Sequence, residues 1–225
     1  MNASPLCVAL LAGLLPEAAA AQPPKAYATE VLSDPAPKEA SEAIRSALEP
    51  KGIRVLGADG KPYVDAWLRK SLPSRKPKED LGIKFPVLEE GTVVGVVRFN
   101  TKGSDFKGNE FPAGVYTMRY GVQPRDGDHL GVSETRDFIL LSPLKADTKL
   151  EPVPHKELVN LSVQVSGIKH PTVLYLVKAD GKEKPPRVYQ DENTENVILD
   201  VELPAEEKGG AAIRLGIVVR GQAAE

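Results

Sequence analysis

The stretch from Phe111 to Leu141, FPAGVYTMRYGVQPRDGDHLGVSETRDFILL, constrains the fold more than any other part of this chain. Pro112 and Gly114 mark a turn, since proline presets φ and glycine tolerates positive φ. The residues that follow alternate. Tyr116, Met118, Tyr120 and Val122 fall on one face of an extended strand, and Val115, Thr117 and Arg119 fall on the other. Gln123 to Ser133 is turn chemistry, with Pro124, Gly127 and Gly131 among Asp126, Asp128 and His129. An apolar strand resumes at Phe138. Strand, polar loop and strand in this order describe part of an antiparallel sheet.

The same punctuation recurs along the chain. Thr92 to Asn100 carries valines on both faces, as a central strand buried on both sides does, and Gly95 within it marks a bulge or a close approach of another strand. Ile53 to Lys70 reads as a hairpin around Asp59-Gly60, a pair suited to a type I′ turn. Its return strand puts Val64, Ala66 and Leu68 toward the core and Tyr63, Asp65, Trp67 and Arg69 on the opposite face. Beyond His170 the pattern is again β: PTVLYLV, a second ADGK turn at Ala179 to Lys182 read as an independent hairpin, then RVYQ, NVILDVEL and AIRLGIVVR.

Two segments read as helix. Asp34-Pro35 has the form of a helix start, and Ala40, Ala43, Ile44, Ala47 and Leu48 share one helical face before Pro50 and Gly52. This predicts a helix over 35–48 lying on a sheet. His155 to Gly167 fits either periodicity, but Pro154 before it and Ser166-Gly167 after it tilt the reading toward a short helix. Ser71 to Asp80 lacks periodicity and reads as a solvated connection. With roughly seven to nine short strands and no strand–helix alternation, the expected class is mainly β, an antiparallel β-sandwich with an N-terminal helix. Residues 34–221 form its single domain, after a polar lead-in over 22–33.

The front of the chain is an address. Leu6 to Leu15 is an apolar core of signal-peptide length, too short to span a membrane, and Ala19-Ala20-Ala21 offers small residues for cleavage before Gln22. No Lys or Arg precedes that core, which departs from the usual pattern. Residues 1–21 are read as a secretory signal, so the mature protein is expected outside the cytoplasm, secreted or periplasmic. The single cysteine is Cys7, inside the signal. A mature chain cut at Gln22 therefore has no disulfide, no thiolate metal site and no cysteine nucleophile. A net charge of −2 with no basic block argues against nucleic acid as a partner.

Pro112-Ala113-Gly114-Val115-Tyr116 resembles the tyrosine corner of immunoglobulin-like domains, where a Tyr follows a small-residue turn into an inward strand. Met118 stands where true immunoglobulin domains have a Cys, the swap expected of a disulfide-free sandwich. The longer order GKPYVDAWLRK, FPAGVYTMRYGVQPRDGDHLG, RDFILL and SGIKHP resembles uncharacterised secreted bacterial β-sandwich proteins. That resemblance implies a secreted β-rich domain and carries over no catalytic residue.

The candidate chemistry is sparse. Asp126, Asp128 and His129 offer carboxylate and imidazole ligands for a divalent metal on one loop, although Asp-Gly-Asp is also ordinary turn chemistry. His155 and His170 stand beside prolines at element boundaries and read as capping or exposed residues. Tyr63 and Trp67, four apart on one strand, would stand about 13 Å apart, a span that suits stacking on an extended glycan. Burial beneath the 71–91 connection or the front helix competes with that reading. Arg119 is the remaining ligand-binding candidate, or else pairs with Asp137 across neighbouring strands as a structural bridge. A type-1 copper site is excluded by the lack of a mature cysteine, and no G-x-S-x-G, P-loop or G-x-G-x-x-G sequence is present. The expectation is a non-enzymatic binding or structural module for an extracytoplasmic protein or glycan. Metal-dependent activity at Asp126–His129 and glycan binding through Tyr63 and Trp67 are the alternatives.

Overall fold

The structure, a computed structural model, describes residues 26–221 except 79, 106–107, 128–132, 134 and 208. The expected signal over 1–21 and two of the three metal candidates, Asp128 and His129, lie outside the described residues.

The chain is mainly β. Ten strands form one continuous antiparallel series: β1 (Ala28–Leu32), β2 (Gly52–Leu56), β3 (Pro62–Leu68), β4 (Val93–Phe99), β7 (Gly114–Val122), β8 (Asp137–Pro143), β9 (Val173–Val177), β12 (Ile213–Arg220), β11 (Val197–Leu203) and β10 (Arg187–Gln190). A small separate hairpin, β5 (Gly103–Ser104) with β6 (Glu110–Phe111), follows β4. The series curls until its two edges meet, where the Thr29 hydroxyl donates to the Pro186 carbonyl at 3.4 Å. One face therefore lines a nearly closed, barrel-like core, and β9 joins the halves by pairing with both β8 and β12. The segment expected to be a mobile lead-in supplies β1. Its Val31 is 70% exposed, so this edge strand carries little of the alternation that betrays a strand.

The strand faces follow the pleat. Tyr116, Met118 and Tyr120 of β7 point into the inner core with Val94, Val97, Ile139, Leu141, Leu199 and Leu215. Each such buried side chain stabilises the fold by about 1.5–3 kcal/mol relative to exposure. At the start of β7 the Tyr116 hydroxyl donates to the Pro112 carbonyl at 2.7 Å, the bond that defines a tyrosine corner. Gly95 meets both expectations placed on it. The β4–β7 register shifts there, and a Cβ at this position would lie 2.4 Å from the Trp67 carbonyl.

The outer face is covered by three pieces of chain. Residues 33–48 lie over β3 and β4, burying Ala36, Ala40, Ile44 and Leu48 against Trp67, Val93 and Val96. Helix α2 (His155–Ser166), capped by Gly167 at φ 72°, lies over β8 and β9 through Leu158. Between them the 143–153 loop is held over β7 by Arg119.

Several expectations need correction. The helix expected over 35–48 is reduced to α1 (Glu42–Ala47), with Ser41 rather than Asp34 as its cap. Pro37 explains this, because it disfavours α geometry at Ala36 before it. The first ADGK turn is a three-residue loop closed by Gly57 N–H to Lys61 O, with positive φ at Gly60 and not at Asp59, so it is not type I′. The second ADGK joins no hairpin: β9 pairs with β8 and β12, and β10 pairs with β11. Ser71 to Asp80 is not simply a solvated connection, since Leu72 enters the inner core, where with Phe85 and Leu88 further along the same segment it stops one end of the barrel.

Candidate functional site

The two aromatic candidates part company on β3. The β2–β3 register shifts between Val55 and Leu56, so that Val55 pairs with Val64 while Leu56 pairs with Pro62. Tyr63 is the extra residue of this bulge. It turns toward the inner core and meets Phe99 edge to face at 5.9 Å, and its hydroxyl donates to the Val219 carbonyl at 3.2 Å. Trp67 faces the opposite way. It is fully buried in the outer cluster, and its indole N–H donates to the Asp34 carbonyl at 2.9 Å. The two rings are not one exposed platform, and a bulge invisible in the sequence is the reason.

Arg119 is not open to a ligand either. Fully buried on the outer face of β7, it clasps Asp147 through two bonds of 2.7 Å and also donates to the carbonyls of Gly91, Lys149 and Glu151. Thr117 donates to the same carboxylate at 2.5 Å. This node ties the 143–153 loop to the sheet and to the turn before β4. The expected cross-strand partner Asp137 is engaged elsewhere: it accepts from the Lys84 and Phe85 amides at 2.7 and 3.2 Å and from the Tyr120 hydroxyl at 2.7 Å. Burial, then the neighbouring Asp137 carboxylate, push the Tyr120 phenol far above its ordinary range.

Of the metal candidates, Asp126 is exposed in the loop after β7. Among the described residues, no three His, Cys, Asp or Glu side chains are grouped to hold a metal ion. His155 opens α2, where its Nδ1 lies 2.8 Å from Glu90 Oε1, which also accepts from the Val122 amide at 3.0 Å. His170 Nδ1 lies 2.9 Å from the Pro171 carbonyl and is exposed.

Two further carboxylates are clamped on the outer face. Asp65 receives Arg54 at 2.7 and 3.1 Å with Arg98 at 3.6 Å, and Asp200 receives Arg187 at 3.0 Å and Arg214 at 2.9 and 2.6 Å. Each Asp lies on the middle strand of three and takes arginines from both neighbours. The bonds to these carboxylates raise the Arg54 and Arg214 guanidinium pKa values. The alternating face of β3 held one half of this pairing in view. The other half needed the strand order.

A groove of about 580 Å³ lies at the end of the barrel opposite Phe85 and Leu88. One wall is the first ADGK turn, with Gly57, Asp59 and Lys61. The other wall is Thr101 to Ser104 with Glu110, and Tyr27, Tyr63 and Arg220 complete it. The Arg220 guanidinium donates to the Tyr27 hydroxyl at 2.8 Å. Burial pushes the Tyr63 phenol up to about 12, and Arg220 offsets part of that rise. Lys102 donates to Glu110 at 2.9 Å, which raises the lysine pKa, and Lys61 stands 3.7 Å from Asp59. Sequence reasoning picked out Tyr63 and missed Tyr27, Lys102 and Arg220. These lie far apart along the chain and meet only because β1, β3 and β12 end at the same rim.

No family model matches the chain, and neither a curated protein nor a solved structure matches it. Among the described residues, no helix is long and apolar enough to cross a membrane.

Proposed function

We propose that this protein is a non-enzymatic binding module working outside the cytoplasm, and that its ligand lies in the groove between the first ADGK turn and the 101–110 segment. One contrast carries this reading. Among the buried charged side chains, Asp65, Asp137, Asp147, Asp200 and Arg119 are spent on bonds that hold the fold. The polar and aromatic groups at the groove are instead arranged around open space. Such convergent polar groups in a concavity on a rigid scaffold are the usual form of a binding site. The apolar segment and small residues before Gln22 support the secreted or periplasmic location. The Tyr116 corner supports the finer assignment to immunoglobulin-like sandwiches.

A screen of soluble glycans and peptides by thermal shift tests the reading, with the parent set against Ala58→Trp, whose indole would obstruct the groove. A ligand that raises the melting temperature of the parent and not of the variant supports it. A ligand that stabilises both equally places binding elsewhere and sinks the groove assignment.

A further inference from the structure

We infer that the groove takes an acidic oligosaccharide, with one sugar carboxylate on Arg220 and sugar rings against Tyr27 and Tyr63. This deepens the binding-module reading and rests on it. Charge supplies the first argument. The groove is lined by three cations, Lys61, Lys102 and Arg220, and by two carboxylates, Asp59 and Glu110. Lys102 pairs with Glu110 at 2.9 Å and Lys61 with Asp59 at 3.7 Å. Arg220 has only the neutral Tyr27 phenol, and among the described residues no carboxylate bridges to it. Among the described residues it therefore carries the uncompensated charge of the groove. A guanidinium presents five N–H donors in a planar fork, so with one spent on Tyr27 enough stay free to grip a carboxylate through two parallel bonds.

Shape and the remaining donors favour a sugar over an acidic peptide. Tyr27 and Tyr63 are only partly buried and both line the groove, each an apolar ring that ends in a hydroxyl, the combination that suits a sugar ring. The walls carry donors and acceptors side by side in Lys61, Asp59, Lys102 and Glu110, which match hydroxyls able both to give and to accept. A bound peptide would want free backbone partners, and several of those in and beside the walls are already used. Gly57 N–H bonds Lys61 O, Asn100 N–H bonds Tyr63 O, and Gly103 is paired with Phe111. Its volume of about 580 Å³ leaves room for more than a single sugar unit.

Titration calorimetry with tetragalacturonate, its methyl ester and tetraglutamate tests the inference. Tetragalacturonate is expected to bind the parent, and Arg220→Gln to weaken it by about tenfold or more, as loss of a charge-assisted fork does. Arg220→Lys should recover part of the affinity. The methyl ester, which keeps the rings and loses the charge, should bind the parent no better than it binds Arg220→Gln. Tyr27→Ala should weaken binding while its far-UV circular dichroism matches the parent, showing that the fold is intact. Equal affinity of parent and Arg220→Gln overturns the inference, as does equal affinity for the ester and the acid, or a preference for tetraglutamate. Failure of the parent to bind tetragalacturonate at millimolar concentration overturns it too. The groove reading then stands or falls separately on whether Ala58→Trp abolishes the stabilisation by any other ligand.

Discussion

The two ends of the barrel are closed in different ways. At one end the 71–91 segment folds back over the rim. Leu72, Phe85 and Leu88 enter the core, and Asp137 gathers the Lys84 and Phe85 amides and the Tyr120 hydroxyl around one buried carboxylate. Leu72 is locked in turn by Leu72 N–H to Pro204 O and Glu206 N–H to Leu72 O. At the other end the core is sealed one layer lower. Tyr63, Phe99, Phe111 and Tyr116 pack edge to face, with centroids 4.8 Å apart between Phe99 and Phe111 and 5.9 Å between Tyr63 and Phe99. Above those rings stand charged and hydroxyl groups rather than an apolar plug. The contrast teaches where this molecule spends its polar chemistry. A buried carboxylate that accepts three bonds from the segment around it is architecture, while partly paired charge over an aromatic floor is a surface kept for something else.

The comparison breaks most readily at the closed end. Asp137→Ala removes the acceptor of two backbone amides and a tyrosine hydroxyl in a buried site, and should cost about 4 kcal/mol. Denaturant unfolding measures it, and a loss under 1 kcal/mol would mean that the 71–91 segment is not fixed by this carboxylate. Phe85→Ala leaves a cavity under the same segment and should cost about 3 kcal/mol. Proteolysis should then cut within 71–91 before any other described part of the chain.

Alkaline titration compares the ends directly. The Tyr63 phenol stands at about 12 in the folded protein, above the ordinary value of 10.0, because burial disfavours the phenolate. A group raised in this way contributes its full share of stability below its unfolded pKa and loses that share as pH rises through the folded one. Tyr63 should therefore cost the fold on the order of 2 kcal/mol between about pH 10 and 12. Tyr63→Phe should remove that part of the loss. The Tyr120 phenol, raised further beside Asp137, should still be neutral when Tyr63 ionises. Absorbance at the phenolate band in the two single Phe variants would expose any reversal of that order.

The smallest effect belongs to the open end. Lys102→Ala breaks an exposed pair with Glu110, and Arg220→Gln a single bond to a phenol, so each should leave the unfolding midpoint close to that of the parent. A loss from either as large as that from Phe85→Ala would make the groove part of the scaffold and erase the distinction between the ends.

The amino-acid order by itself determined the local pieces. Tyr116, Met118 and Tyr120 announced the inward face of β7 by strict alternation, and Pro112 with Gly114 announced its corner, because period and turn chemistry are properties of neighbours in the chain. Gly167 and Pro154 bracketed α2 for the same reason. The tertiary structure decided everything that depends on partners. It joined ten strands into one curled series whose edges meet and drew 28–32 into an edge strand. It gave Asp147 to Arg119, although 28 residues separate them. A single bulge at Tyr63 sent that ring inward and left Trp67 on the outer face, which no count of alternating residues could show, since a bulge changes phase without changing composition. The groove follows the same logic. Tyr27, Tyr63 and Arg220 meet because β1, β3 and β12 end at one rim, and strand order around a sheet is set by the packing of the whole core rather than by any segment within it.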